Sequence, residues 1–180
     1  MTEPRVPGTD DTLLELPCGE TIDAAQDLDM GMRDFACPCG QTHAVVMDIH
    51  PLTRFIPTAI VDVLRETTEA ADGDPVGEFG THHLLGMVRE EVPAEVASAD
   101  LSETGATGYT TVWVAEMPSR ALHEMVVELV VELMEHAVSH GSDEGAAAEF
   151  EAQMREFDVE EFVATYRAQR DFDDEHDTAV

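Results

Sequence analysis

The chain contains no lysine. Its nine basic residues are all arginine, set against 39 aspartates and glutamates, for a formal net charge of −30. Without lysine there can be no Walker-type phosphate loop, and neither a Rossmann glycine fingerprint nor a G-x-S-x-G nucleophile elbow occurs. Arg33, Arg54, Arg65 and Arg89 are scattered and form no basic stripe, which argues against an ordinary nucleic-acid surface. Cysteine is scarce too: three residues with no C-x-x-C pair exclude a disulfide framework and disfavour thiol exchange. No run approaches 18 apolar residues, and MTEPRVPGTDD lacks the apolar stretch of a signal peptide, so the expectation is a cytoplasmic protein with no membrane partner.

What is present is enough for a core, since 43% of the residues are hydrophobic. The carboxylates are spread along the whole chain. That pattern reads as adaptation to a saline cytosol, where molar salt screens like charges over roughly 3 Å. The rival reading is an acidic protein that binds basic partners.

Residues 1–11 read as a loose leader. TLLELPCGETI (12–22) reads as a short strand running into a turn, and FACPCGQTHAVVMDI (35–49) repeats the pattern with a stronger strand in HAVVMDI. Pro51 and Pro57 mark a boundary. From Thr58 to about Ala71, Ala59, Ile60, Val63, Leu64 and Thr67 share one face of an amphipathic helix. LLGMVREEV (84–92) is ambiguous and reads as a strand, ADLSETGATG (99–108) as a loop, and YTTVWVAEM (109–117) as a strand with Val112, Trp113 and Val114 buried. The strongest local pattern predicts a long helix over 120–140, with an apolar stripe from Leu122 to Val138. Glu124, Glu128, Glu132, His136 and His140 lie opposite. AAAEFEAQMREF and VEEFVATYRAQ predict two further helices, before an acidic tail at 169–180.

The fold class is α+β: a small β-rich, zinc-ribbon-like segment at 12–50, packed on or joined to a mainly helical part with a few strands at 51–168. The 12–50 segment holds an internal repeat. PCGET at 17–21 returns as PCGQT at 38–42, which aligns Cys18 with Cys39. Glycine after cysteine suits a tight turn whose backbone N–H groups point at a thiolate. Two such turns facing one another would bring Cys18 and Cys39 together. Cys37 offers a third ligand and His43 a fourth, the number a structural Zn²⁺ requires. His50 is an alternative fourth ligand. The halves are unequal, because Leu16 and Ile22 occupy the positions equivalent to Cys37 and His43, and the C-x-C spacing needs a local bend. The bland alternative is two coincidental turns with free or buried thiols. A Cys3His set is closed, with no coordination position left for substrate.

Elsewhere, Glu132, His136 and His140 share a helix face and could serve a metal-dependent hydrolase together with a loop histidine, His82 or His83. Solvated residues at a helix C-terminus are the plainer explanation. LHEMV (122–126) begins like H-E-x-x-H, but Val127 stands where the second histidine would be. No catalytic or cofactor-binding residue is assigned.

The lysine-free acidic composition, the leader EPRVPG, the pair LPCGET and CPCGQTHAVVMDIHP, the helix LHEMVVELVVELMEHAVSH and the ending RDFDDEHDTAV together resemble a family of uncharacterised proteins of halophilic archaea. The resemblance implies lineage and a cytoplasmic location, and brings no functional residues. The function expected is that of a non-enzymatic adaptor or regulatory protein with a structural zinc, whose partner is another protein or a second copy. The alternatives are the hydrolase and a nucleic-acid-associated ribbon factor.

Overall fold

The computed structural model describes residues 13–23, 33–47, 51–67, 79–100, 111–139 and 144–169. Strands β1 (Leu13–Glu15) and β2 (Thr21–Asp23) form one antiparallel hairpin. β3 (Arg33–Ala36) and β4 (Thr42–Met47) form a second. After a single 3₁₀ turn at Leu52–Arg54 come α1 (Thr58–Thr67), α2 (Thr81–Glu91), β5 (Val96–Asp100), β6 (Thr111–Ala115), α3 (Ser119–Ser139), α4 (Glu144–Arg155) and α5 (Val159–Gln169). β4 pairs antiparallel with β6, and β6 with β5, giving a four-stranded sheet of order β3-β4-β6-β5. The architecture is α+β.

The pleat sorts the strand residues between two cores. Ala44 and Val46 of β4, Trp113 and Ala115 of β6 and Val96 of β5 face the helical core, which includes Leu84, Val88, Leu122, Val126 and Val163. Val45, Val112 and Val114 turn to the other face, where they meet Leu14, Leu16 and Ile22 of the first hairpin. This follows from the period of two along a strand. The result is three layers: helices, a four-stranded sheet, and the β1–β2 hairpin laid over the sheet's second face. A two-stranded hairpin of three-residue strands is marginal alone, so β1–β2 depends on that seat.

Several local readings change. Residues 84–92 are not a strand: they lie within α2 and its end, because Thr81, Leu84, Leu85 and Val88 bury one helical face at spacings of three and four. β5 runs from Val96 to Asp100 and so enters the stretch read as a loop from Ala99 onward; its small residues Ala97 and Ala99 pack against the second core. In α1 the inward face is Ile60, Val61 and Leu64, while Val63 is 41% exposed and Ala59 is exposed. Trp113 is only half-buried, between buried Val112 and Val114. The leader, the loop at 71–78 and residues 170–180 of the tail lie outside the described residues.

The stretch between Pro51 and Pro57 sits at the centre of the helical core, with Leu52, Arg54, Phe55 and Ile56 all buried. Its backbone carbonyls need partners there. The Tyr166 hydroxyl of α5 donates to the Thr53 carbonyl, and His123 Nε2 of α3 lies 2.7 Å from the Phe55 carbonyl. A carbonyl only accepts, so Nε2 carries the proton. The α3 N-terminus is tied to the sheet: the Ser119 N–H donates to Asp34 Oδ1 of β3 at 2.6 Å, and buried Arg167 of α5 donates to Ser119 Oγ at 3.0 Å. Asp34 thus does the work of an N-cap from 85 residues away. Asp34→Ala is expected to lower stability by about 1–2 kcal/mol in urea titrations, the range for lost caps. Glu128→Ala, on the exposed face of α3, should stay within about 0.5 kcal/mol of the parent.

Among the described residues, no helix is long and apolar enough to cross a membrane.

Candidate metal centre

The sequence repeat is a repeat of structure. In the first hairpin Leu14 pairs with Ile22 and Glu15 with Thr21; in the second, Phe35 pairs with His43 and Ala36 with Thr42. Both registers carry the 21-residue offset of the PCG-x-T repeat. Both turns close with the same hydrogen bonds. Leu16 N–H donates to Glu20 C=O at 2.8 Å and Gly19 N–H to Leu16 C=O at 2.9 Å; Cys37 N–H donates to Gln41 C=O and Gly40 N–H to Cys37 C=O, each at 3.0 Å. Gly19 and Gly40 hold φ of +92° and +91°, the left-handed region that only glycine enters without strain. That is why each cysteine is followed by glycine.

These turns present the ligands. Cys37 follows the last residue of β3, and the turn over 37–41 bends the chain so that Cys37 and Cys39 converge, which resolves the tight C-x-C spacing. His43 is the second residue of β4 and is wholly buried. Cys18 comes across from the first turn. The two sulfurs and one imidazole of the second hairpin and the lone sulfur of the first put their ligand atoms within 4.8 Å of one another. Metal arms of about 2.3 Å to sulfur and about 2.0 Å to nitrogen, at tetrahedral angles, separate two sulfurs by about 3.8 Å and a sulfur and a nitrogen by about 3.5 Å. Cys18 Sγ and Cys37 Sγ lie 3.8 Å apart, and Cys39 Sγ and His43 Nε2 3.5 Å. The donor set and its spacing fit a tetrahedral ion.

The one-against-three division has a physical reason. Leu16 and Ile22, which stand where the second hairpin has Cys37 and His43, are 2% and 3% exposed in the core between hairpin and sheet. The first hairpin uses those positions to seat itself, while the second places two members of the candidate metal cluster there. That exchange of roles was not read from the sequence; the pairing of apolar residues with ligands across the repeat was its signal.

Electrostatics fits the same picture. Burial pushes the Cys37 thiol up to about 11, and the nearby Cys39 and Cys18 side chains add to this, against the Cys39 backbone N–H, which pulls it down. Burial of Cys37 disfavours its thiolate, so a cation bound there must displace its proton. The backbone N–H groups of Cys39, toward Cys37, and of Glu20, toward Cys18, favour the thiolates once a cation is present. His43 Nε2 is the ring nitrogen beside Cys39, and among the described residues its buried Nδ1 meets no hydrogen-bond partner.

The other candidates fare differently. Glu132 and His136 are exposed on α3, and His140 and His50 lie outside the described residues. His82 and His83 sit in the first turn of α2, where His83 Nδ1 accepts from the Gly80 N–H at 3.0 Å and stacks on Phe79. Among the described residues, the cluster of Cys18, Cys37, Cys39 and His43 is the single group of three or more histidine, cysteine or acidic side chains able to hold a metal ion. His123, part of the broken H-E-x-x-H, is a core residue held between the edges of Phe55 and Tyr166.

No curated protein and no solved structure matches the chain. Residues 14–170 match the model of a family of unknown function, DUF5815, and over that span the chain belongs to this family.

Proposed function

We propose that Cys18, Cys37, Cys39 and His43 hold a structural Zn²⁺, and that the protein is a non-enzymatic adaptor or regulatory protein of a saline cytoplasm. The observation that carries the reading is the convergence of three thiols and one imidazole within 4.8 Å of one another, two pairs standing at the 3.8 and 3.5 Å a tetrahedral ion requires. Three thiolates and one imidazole fill all four positions of zinc, so no site remains for water or substrate. Ligation of this kind shapes a chain; it does not turn over a substrate. The ion joins the turn of the first hairpin to the second, on the same side as the apolar contact of Leu14, Leu16 and Ile22 with the sheet. The charge of −30 carried without a lysine supports the saline setting, where salt screens what dilute buffer would leave repelling. Burial of Arg54 and Arg167 withdraws two of the nine cations from the surface, which further disfavours a nucleic-acid partner.

Metal analysis of the protein purified in molar salt tests the site. One equivalent of zinc is expected, with an X-ray absorption shell of three sulfurs and one nitrogen at about 2.3 and 2.0 Å. Cys39→Ser should drop the zinc content well below one half. Full zinc retained by both Cys39→Ser and His43→Ala would reject these ligands.

A further inference from the structure

We propose that the space between α3 and α4 is a binding site for a small, uncharged, mainly hydrocarbon ligand. It is a space of about 260 Å³, bounded by Ile56, Ile60, Val130, Met134, Phe150 and Phe157 among others, with Gln153 the single polar residue lining it among the described residues. The cavity lies in the helical layer and shares no residue with the metal centre, so the two readings stand or fall separately.

Three observations select the ligand. The first is volume. An apolar cavity of about 150 Å³ stays dry and accepts benzene, so one of this size takes on the order of ten carbons. Water gains little by entering, because it needs two to four polar partners and the wall offers one amide. The second is the state of α4. None of its residues is buried, although Phe150 and Met154 face the space and α3 is packed well on its other sides. The space is a cleft partly open to solvent, so these apolar side chains stay in contact with water and lack packing partners. A hydrocarbon occupant would supply the missing contacts to both helices.

The third is charge. Glu144, Glu149 and Glu151 on α4 and Glu128, Glu132 and Glu135 on α3 are exposed, with Arg155 the one basic residue on these two helices beyond the first turn of α3. Molar salt screens the field of these carboxylates, but a carboxylate or phosphate head would also have to leave water for a wall that offers one amide and no arginine. The ligand is therefore an alcohol, ester, ketone or plain hydrocarbon, with Gln153 available to its polar end, and not a fatty acid.

Titration of the full-length protein in molar salt with 1-octanol, followed by calorimetry and by the ¹³C-methyl signals of methionine, tests this. Saturable one-to-one binding is expected, with the largest shifts at Met134 and Met154. Octanoate should bind at least ten-fold more weakly. Val130→Phe, which places a ring in the cavity, should weaken octanol binding at least ten-fold. Absence of saturation, shifts spread over all methionines, equal affinity for octanoate, or undiminished binding by folded Val130→Phe would each overturn the proposal. So would light scattering that shows a dimer whose formation Val130→Phe abolishes, since a second copy would then be the occupant. Should Val130→Phe not fold, the methionine shifts and the octanol–octanoate ratio in the parent protein decide.

Discussion

Removing the metal with a chelator is expected to lower hydrogen-exchange protection of the Leu16 and Cys37 amides on the order of 100-fold, while amides in the middle of α3 keep theirs. Those two amides close the turns that carry the cysteines. The asymmetry follows from how the layers are held. α3 is anchored by Leu122, Val126, Leu129 and Val130 in the helical core, and by the Asp34 and Arg167 contacts at its start. The first hairpin has three-residue strands and three buried apolar side chains, Leu14, Leu16 and Ile22. So small an apolar seat does little against the entropy of ordering the chain, and a lone two-stranded hairpin is marginal. The proposed ion joining Cys18 to Cys37, Cys39 and His43 would tip the balance.

Cys37→Ser should reproduce the chelated state without a chelator, because it removes the sulfur 3.8 Å from Cys18 Sγ and leaves a hydroxyl among apolar side chains. Unchanged exchange at Leu16 and Cys37 after complete metal removal would show that the hairpin holds itself, and would reduce the ion to an ornament. Loss of protection in α3 as well would mean that the sheet's second face is needed to keep the first.

The parts of this design that could be read from the residues are those written locally. The long helix was legible because its stripe repeats over five turns, and Ser119–Ser139 lies within one residue of the reading. The last helix was legible from VEEFVATYRAQ, which is α5 itself, capped by Asp158 through its side chain to the Glu161 N–H. The clustering of Cys18 with Cys37, Cys39 and His43 was legible because repetition of a turn motif links Cys18 to Cys39, 21 residues on, without any knowledge of the fold. α2 was misread because Leu84–Leu85 and Met87–Val88 are adjacent apolar pairs, which suit a buried strand as well as a helix two faces wide. β5 escaped because alanine and serine carry little strand signal; its register with β6 comes from the partner strand. Nothing local announces that Asp34 caps a helix beginning at Ser119, or that Pro51–Pro57 is a core segment whose carbonyls are met by side chains from α3 and α5. Such contacts exist only once the layers have met.

His123 belongs to that last class, and its burial carries a measurable consequence for acid stability. The ring is fully buried, and desolvation pushes its pKa down to about 4; the hydrogen bond to the Phe55 carbonyl opposes the shift and nearby Arg167 adds to it. In the unfolded chain the imidazole titrates near 6.5. The folded-state value is the lower one, so between pH 6.5 and about 4 the unfolded chain binds a proton that the folded chain refuses. The stability this histidine contributes is therefore complete above pH 6.5 and is lost as pH falls through that window, for a total of roughly 3 kcal/mol. The 39 carboxylates act in the opposite direction, since protonating an overcharged surface relieves repulsion, so the acid limb of the whole protein mixes two trends. His123→Gln separates them. Glutamine keeps an N–H able to reach the Phe55 carbonyl, cannot take up the proton, and forgoes the edge contacts with Phe55 and Tyr166. The variant is expected to be about 1–2 kcal/mol less stable at pH 8, yet to overtake the parent as pH approaches 4.5. Chemical denaturation at fixed high salt across pH 4.5–8 reads the difference directly. Curves that stay parallel over that range would mean that His123 takes its proton inside the folded protein as readily as outside it, which its fully buried place between Phe55 and Tyr166 does not allow.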